Sequence, residues 1–247
     1  MSTQMSGHHL SLGVALLALS SACSVDDRTL TTALADAGTG GAPALLDSGS
    51  AGDAGEGGAP LAPLPVCVFG KDPAADCYTL VNNPGFATDT TGWDAEMPSV
   101  AMTWSAQDAA SDPASGSLSV ENSLSGAADG IGIRGAAQCL QTAPGNAYGF
   151  AGDIFIPDGQ GAGIGGGSYD ATAALSIIFY ESADCTGYSG ANFTSSIASD
   201  LGKWGHYEGR AVAPKNAASM LVRLVTLKNF QEYTFKALFD NVLVKAE

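Results

Sequence analysis

Short runs of apolar or alternating residues recur along the chain from Val66 onward. They include SVAMTWS, GIGIRG, YGFAGDIFIP, AALSIIFYES and YTFKALFDNVLV, and clusters of Gly, Pro, Asp and Ser separate them. Alternation with a period of two is typical of half-buried strands, and no window shows the spacing of an amphipathic helix. Many short strands in one domain predict an all-β fold, a sandwich or a barrel, over residues 66–247.

The first apolar run differs from these strands. HLSLGVALLALSSA is continuous, has the length of a signal-peptide core and is too short to span a bilayer. We therefore predict a signal peptide over residues 1–22 and export of the protein. The LSSAC at its end resembles the lipobox of bacterial lipoproteins, in which the cysteine, here Cys23, becomes the lipidated N-terminus. Ordinary cleavage near Ala22 is the alternative.

Residues 23–65 have a different composition, shown by the stretch DAGTGGAPALLDSGSAGDAGEGGAP. A segment that is rich in Gly, Ala and Asp and has no aromatic residue cannot bury enough apolar surface to offset the entropy of ordering. We therefore expect a disordered, flexible, acidic tether, whose composition resembles the stalks of surface lipoproteins. With a lipid on Cys23, the domain would be anchored at the bacterial cell envelope, at the outer membrane or the cell surface.

The cysteine count supports lipidation of Cys23. The chain has five cysteines, and an odd number in an exported protein leaves one unpaired. Without Cys23, four cysteines remain, which allow two disulfides and three connectivities. We favour Cys67 with Cys77, which closes a short loop, and Cys139 with Cys185. A zinc site is less favoured because the chain contains no C-x-x-C.

The stretch NNPGFATDTTGW resembles the N-terminal signature of carbohydrate-binding modules of the family 4/9 type. Those modules open with N-x-x-F-E followed by G-W, and they close with an aspartate before a hydrophobic strand. Asn83, Phe86, Gly92 and Trp93 match the opening, and Asp240 in FDNVLV matches the close. The resemblance covers nearly the whole folded domain and implies a jelly-roll β-sandwich of the galactose-binding-like kind.

The same resemblance implies a structural calcium ion. In these modules a glutamate after the opening Phe and the closing aspartate contribute ligands, and calcium prefers several hard oxygen ligands. Asp240 keeps the aspartate position, whereas Ala87 occupies the glutamate position. The alternative is that Asp240 and Asn241 satisfy backbone groups near the end of the sandwich.

Charge and motifs exclude several other functions. The formal net charge of −15 disfavours nucleic acid and anionic membranes as partners, so membrane contact is expected through the lipid anchor only. The glycine-rich GQGAGIGGG superficially resembles a phosphate-binding loop, but no helix is predicted after it, so a loop between strands is expected.

Catalysis has little support in the sequence. His206 lies in a strand-like segment without a recognisable nucleophile motif. Glycoside hydrolysis needs two facing carboxylates, and the candidates without a motif are Glu121, Asp153, Glu181 and Glu208. We therefore expect a domain that is not an enzyme, with a cryptic glycoside hydrolase as the third choice.

The predicted function is binding of a neutral polysaccharide or glycoconjugate. Sugar rings stack on exposed aromatic planes while polar side chains bind their hydroxyls. The candidate stacking residues are Trp104, Tyr180, Tyr188 and Tyr207, and the candidate polar partners are Asn122, Gln138, Glu181 and Arg223. The alternative is a structural or adhesive surface domain that does not bind sugar.

Overall fold

The structure is a computed structural model that describes residues 62–69, 77–123, 131–160, 172–187, 189–229 and 234–247. Several features predicted from the sequence lie outside the described residues. They are the signal peptide, Cys23, most of the tether, Tyr188 and most of the glycine-rich stretch. In the part that is described, no helix is long and apolar enough to cross a membrane.

The regular structure within these ranges consists of β-strands, numbered in chain order. They are β1 (Asp94–Ala95), β2 (Val100–Ser105), β3 (Ser117–Asn122), β4 (Ile131–Gln141), β5 (Ala147–Phe155), β6 (Thr172–Tyr180), β7 (Ser189–Thr194), β8 (Trp204–Val212), β9 (Ser219–Asn229) and β10 (Phe235–Ala246). Sheet A has the order β1-β4-β9-β6-β7, and sheet B has the order β2-β3-β10-β5-β8. All strand pairs are antiparallel, so the predicted all-β sandwich is confirmed.

The core lies between the two sheets. Because successive side chains of a strand point to opposite faces, one set of alternate residues from each sheet meets in this layer. Its largest buried side chains are aromatic, and they include Phe150 of β5, Phe179 of β6 and Phe239 of β10.

The opening stretch found in the sequence packs into this core. The rings of Phe86 and Trp93 lie 5.8 Å apart, and the Trp93 indole nitrogen donates a hydrogen bond to the Asn82 carbonyl at 3.2 Å. Gly92 has φ +90° and lies against Asn82 and Gln138, so the turn needs a residue without Cβ. These residues of the opening stretch therefore have a structural role.

A second apolar cluster covers the outer face of sheet B. Leu64, Cys67, Phe69 and Cys77 pack there with residues of β5 and β10, and we call residues 62–69 and 77–81 the strap. The predicted disulfide between Cys67 and Cys77 is present, with Cα atoms 5.5 Å apart. Leu64, which composition places in the tether, is buried in this cluster.

Candidate functional site

The outer face of sheet A carries a row of residues that crosses all five strands. The strand register aligns Asp94, Ala137, Arg223, Ser176 and Thr194 across the sheet. These positions alternate with the core positions, so their side chains belong to the outer face. Both ends of this polar row are exposed, whereas Ala137 and Ser176 are buried.

A bidentate ion pair occupies the centre of the polar row. Arg223 donates through Nη2 to Glu96 Oε2 at 2.9 Å, and its Nε donates to Glu96 Oε1. The side chains of Arg223 and Glu96 are only 13% and 15% exposed. The backbone N–H of Glu96 donates to the Gly135 carbonyl at 3.1 Å, which fixes this residue beside β4. The pair is neutral as a unit, and its remaining N–H groups and oxygen lone pairs can still bind a polar ligand.

Tyr180 lies on the same face, at the end of β6. Burial is the largest cause that raises the pKa of its phenol, the Arg223 charge lowers this pKa, and the Glu96 charge raises it. The phenol is therefore within electrostatic reach of the ion pair. Leu221 and Ile178 face one another in the row beside the polar row, and both are partly exposed. They add an apolar surface between Tyr180 and the ion pair.

A second polar pair lies toward the β7 edge of the same face. Ser176 donates through Oγ to Asn192 Oδ1 at 2.8 Å. Ser176 is buried, whereas Asn192 is exposed, so the amide nitrogen of Asn192 can donate hydrogen bonds to a ligand.

Two features lie on either side of the polar row along the strand direction. On one side, Ala174, Val225 and Leu227 form a buried apolar cluster with Ile133 packed against it. On the other side lies the disulfide between Cys139 of β4 and Cys185, which has the predicted pairing. We use the name groove for the part of the outer face of sheet A that lies between these two features.

Trp104, the first predicted stacking residue, lies outside the groove. It belongs to β2, an edge strand of sheet B, and it is 40% exposed. Its indole nitrogen donates to the Phe86 carbonyl at 2.7 Å, and a Cβ added at Gly116 would lie 2.6 Å from its ring atoms. Trp104 is therefore a fixed, partly exposed ring on a different sheet from Tyr180.

Tyr207 lies far from Trp104 and on a different sheet from Tyr180. It belongs to β8, at the opposite edge of sheet B from Trp104, roughly 19 Å away at the usual spacing between strands. Tyr207 packs against the core, and burial is the main cause that raises the pKa of its phenol. The structure therefore does not bring Trp104, Tyr180 and Tyr207 together, and the predicted ligand contacts of Trp104 and Tyr207 stay predictions.

Of the four predicted polar partners, Arg223 lies in the groove. Gln138 is buried, accepts the Asn82 amide at 2.7 Å and donates to the Gly92 carbonyl at 2.8 Å, so it holds the opening stretch. Asn122 is fully buried, and Glu181 accepts a hydrogen bond from Asn216 on a neighbouring loop. Glu96, Ser176 and Asn192 were not among the sequence candidates, because only the register between strands shows that they share this face.

Asp240 is fully buried in the middle of β10, where the register with β5 shifts. Its Oδ2 accepts the Ala109 amide at 3.0 Å, and its Oδ1 accepts the Asn241 amide at 2.7 Å. Burial is the largest cause that raises the pKa of Asp240 to about 8, and the charges of Asp108 and Asp153 raise it further.

This environment fits a calcium ion poorly. Both oxygens of Asp240 accept backbone amides, and the ranges that the structure describes contain no group of three or more His, Cys, Asp or Glu side chains suited to a metal. The described residues therefore do not complete a calcium donor set. Calcium binding at Asp240 stays a prediction, which titration of the EDTA-treated chain with calcium would test.

His206 is part of a network on the outer face of sheet B. Its Nδ1 is hydrogen-bonded to Asp153 Oδ1 at 2.8 Å, and Asn241 donates to Asp153 Oδ2 at 2.8 Å. Asn241 Oδ1 in turn accepts the amide of Phe69 at 2.9 Å, so the network ends at the strap. His206 Nε2 is buried and has no hydrogen-bond partner among the described residues.

The other carboxylates considered for catalysis are also separated or engaged. Glu208 accepts the amide of Leu64 at 2.9 Å, and Glu121 lies in β3, next to the edge strand β2. Glu181 belongs to a loop beside sheet A. Asp153 and Glu208 share the outer face of sheet B on adjacent strands, but Asp153 is hydrogen-bonded to His206 and Asn241, and Glu208 to the Leu64 amide.

No family model and no curated protein sequence matches this chain. Among solved structures, it is similar to the enzymatically active domain of tailspike protein 4 from bacteriophage CBA120, with 14% identity, a TM-score of 0.47, and coverage of 68% of this chain and 21% of that one. The chain thus spans about a fifth of the length of that protein.

Two further solved structures are similar over most of their own length. The CBM22-2 xylan-binding domain from Paenibacillus barcinonensis shares 11% identity at a TM-score of 0.43, with coverage of 66% of this chain and 98% of that one. A Stig cyclase from Fischerella shares 14% identity at a TM-score of 0.45, with coverage of 68% and 96%. Carbohydrate-binding modules and enzymes thus both occur among the similar structures.

Proposed function

We propose that the folded domain is a non-catalytic module that binds a neutral carbohydrate in the groove on the outer face of sheet A. The observation that carries this proposal is the bidentate pair of Arg223 with Glu96, 13% and 15% exposed, on the same outer face of sheet A as Tyr180. The sequence resemblance to carbohydrate-binding modules supports the same class of ligand.

The chemistry of these side chains suits sugar rings. A sugar presents hydroxyls that both donate and accept hydrogen bonds, and the pair of Arg223 and Glu96 offers donors and acceptors side by side. The Asn192 amide adds a donor near the β7 edge. The ring of Tyr180 and the aliphatic Leu221 and Ile178 offer apolar area to the C–H faces of a sugar.

The charges of the groove favour a neutral ligand over an anionic one. The Arg223 charge is already compensated by Glu96, and Asp94 lies exposed at one end of the polar row. An anionic glycan would therefore meet uncompensated negative charge in the groove, in addition to the net charge of −15 of the whole chain.

A binding assay with matched tyrosine variants tests the proposal. The full chain is incubated with insoluble xylan, cellulose and β-1,4-galactan, and with pectate as the polyanionic comparison. We expect retention on at least one neutral polysaccharide and none on pectate. Tyr180→Ala should weaken retention about fivefold, because a lost stacking contact costs on the order of 1 kcal/mol. Tyr180→Phe, which keeps the ring, should retain most of the binding.

Two further variants serve as controls. Tyr78→Ala removes a tyrosine that is 71% exposed on the strap, and it should bind like the parent. Trp104→Ala tests the prediction for the other exposed ring, and a loss confined to Trp104→Ala would move the site out of the groove. If no neutral polysaccharide retains the parent, the structural or adhesive function takes the place of this one.

We also propose that the module is a lipoprotein of the bacterial cell envelope, anchored through Cys23 by the tether that follows. The sequence from residue 1 to residue 65 supports this proposal, through its signal-like apolar run, its lipobox-like LSSAC and its acidic tether. Cys23→Ser should shift the protein from the detergent phase to the aqueous phase. Unchanged detergent partitioning of that variant would contradict lipid anchoring.

A further inference from the structure

We propose that the Cys139–Cys185 disulfide is a positioning element of the groove, which fixes residues 181–187 as its wall beside Tyr180. We call these residues the stapled loop. The role in ligand binding rests on the proposed function above, whereas the role in holding the wall can be tested without any ligand.

The path of the chain places the stapled loop across sheet A. Tyr180 ends β6, and the Tyr180 carbonyl accepts the amide of Ala218 at 2.8 Å, just before β9. The chain then crosses β9 to reach β4, where Cys185 is bonded to Cys139. It returns to begin β7 at Ser189, on the far side of β6. The loop therefore leaves and rejoins the β6–β7 hairpin but is attached two strands away.

Hydrogen bonds attach the stapled loop to the strands that it crosses. Ser219, the first residue of β9, donates through Oγ to the Ser182 carbonyl at 2.6 Å and accepts the Cys185 amide at 3.2 Å. Gln141 of β4 donates to the Ala183 carbonyl at 2.7 Å. Contacts to both β4 and β9 fix the loop at the end of the sheet where Tyr180 lies.

The strand register places this attachment on the groove side of sheet A. Cys139 pairs with Leu221, and two residues along each strand Ala137 pairs with Arg223. Cys139 therefore belongs to the same outer face as the centre of the polar row, one row away from it. The stapled loop begins directly after Tyr180, so a displaced loop would leave that side of the groove without its wall.

The disulfide supplements the hydrogen bonds of the loop, because apolar packing contributes little to holding it. Glu181, Ala183, Asp184, Thr186 and Gly187 are all exposed, and the loop buries no large apolar side chain. Segments with few buried apolar contacts open at low free-energy cost. The covalent bond to Cys139 is thus the strongest attachment of the loop to β4.

The second disulfide of the domain provides a matched control. Cys67–Cys77 lies in the strap on the outer face of sheet B, away from the groove. Two double variants can therefore be compared, C139S with C185S and C67S with C77S. Both remove one disulfide from the same chain, but only the first removes the staple of the groove.

Hydrogen exchange of the full chain tests the wall itself. In the parent, the amides of residues 185 and 186 donate to Ser219 and Ser182. In C139S/C185S we expect these two amides to exchange at least tenfold faster than in the parent. Amides of the sheet core should change much less. In C67S/C77S the stapled loop should exchange like that of the parent. Unchanged exchange of residues 181–187 in folded C139S/C185S would overturn the proposal.

Retention on insoluble xylan, cellulose and β-1,4-galactan tests the consequence for binding. C139S/C185S should be retained about tenfold more weakly than the parent, and C67S/C77S within twofold of it. Fast loop exchange together with parental retention would overturn the role in the groove. If the parent itself binds none of the three, the proposed function fails, and the exchange result alone decides whether the disulfide holds the wall.

A second route applies if C139S/C185S does not fold. Cys139 is exposed, so brief treatment of the folded parent with a phosphine reductant, followed by alkylation, should open this disulfide in the native protein. Peptide mass spectrometry identifies the opened bond, and exchange is measured on that species. Faster exchange of residues 181–187 supports the staple, and parental exchange overturns it.

Discussion

The outer faces of the two sheets differ in how they use the same kind of covalent bond. On sheet B, Cys67–Cys77 lies within the strap, whose Leu64 and Phe69 are buried against β5 and β10. On sheet A, Cys139–Cys185 lies at the side of a face that keeps polar groups partly exposed. One disulfide therefore stabilises a cover, whereas the other lies beside a polar surface that is only partly exposed.

The energetics of the two faces differ in the same way. Burial of the strap residues Leu64 and Phe69 against sheet B is favourable, by roughly 1.5 to 3 kcal/mol for each fully buried side chain. The pair of Arg223 and Glu96 is removed from most of its water, and such pairs contribute little net stability because desolvation offsets their attraction. A polar row that adds little stability is easier to understand as a binding surface than as a part of the fold.

The largest expected change in stability comes from a residue of the strap, and it should leave binding in the groove unchanged. Phe69→Ala should lower the free energy of unfolding by about 3 kcal/mol, because it empties the centre of the apolar cluster under the strap. Urea unfolding measures this change. Retention on neutral polysaccharide should stay within twofold of the parent, since Phe69 is on the other sheet. A loss of less than 1 kcal/mol would show that the strap is not an integral part of the fold.

The next effect compares an ion pair from each face. Arg223→Ala leaves Glu96 poorly solvated without its partner, and we expect a loss of about 2 kcal/mol together with loss of polysaccharide retention. Arg210 pairs with Glu247 beside the strap, with side chains 27% and 24% exposed. Arg210→Ala should cost less than about 1 kcal/mol and leave retention unchanged. Equal effects of the two variants on retention would contradict a specific role for the groove.

Residue patterns within single strands were sufficient to predict most of the fold, whereas the remainder depends on how the strands pair. The alternation in AALSIIFYES and YTFKALFDNVLV was sufficient to predict strands, and NNPGFATDTTGW indicated the sandwich type. Short sequence separation also predicted the disulfide of Cys67 with Cys77, ten positions apart, whereas Cys139 and Cys185, 46 positions apart, were the pair that remained. The strand, turn and short-loop signals each lie in a few neighbouring residues, which is why the sequence alone could supply them.

The groove depends on relations that no local pattern contains. Glu96 meets Arg223 across 127 positions of the chain, and Ser176 meets Asn192 only because β7 pairs with β6 in one register. A shift of one residue would turn either partner to the other face. The sequence could therefore nominate Tyr180 and Arg223 as residue types, but it could not show that they share one face.

The smallest expected effect is a pH dependence that belongs to the strap side alone. The hydrogen bond with Asp153 is the largest cause that raises the pKa of His206, while burial lowers it and the charges of Asp153 and Glu208 raise it. A raised pKa in the folded state means that the contribution of His206 to stability is fully present below the unfolded value near 6.5. This contribution is lost as the pH rises through the higher folded value. Because the hydrogen bonds continue through Asn241 to Phe69, loss of the His206 contribution should weaken the attachment of the strap.

Urea unfolding of the parent and of His206→Gln at pH 6 and pH 8 isolates this effect. The parent should lose about 1 kcal/mol more than the variant between the two values, since a hydrogen bond to a charged group contributes on this order. The buried carboxyl of Asp240, with its pKa raised to about 8, also makes stability fall over this range, but it is present in both proteins and cancels in the difference. Polysaccharide retention by the folded protein should not follow this pH dependence, because none of the groups in the His206 network lies in the groove. An equal loss of stability in both proteins would remove His206 from the account, and a matching change in retention would contradict the separation of the two faces.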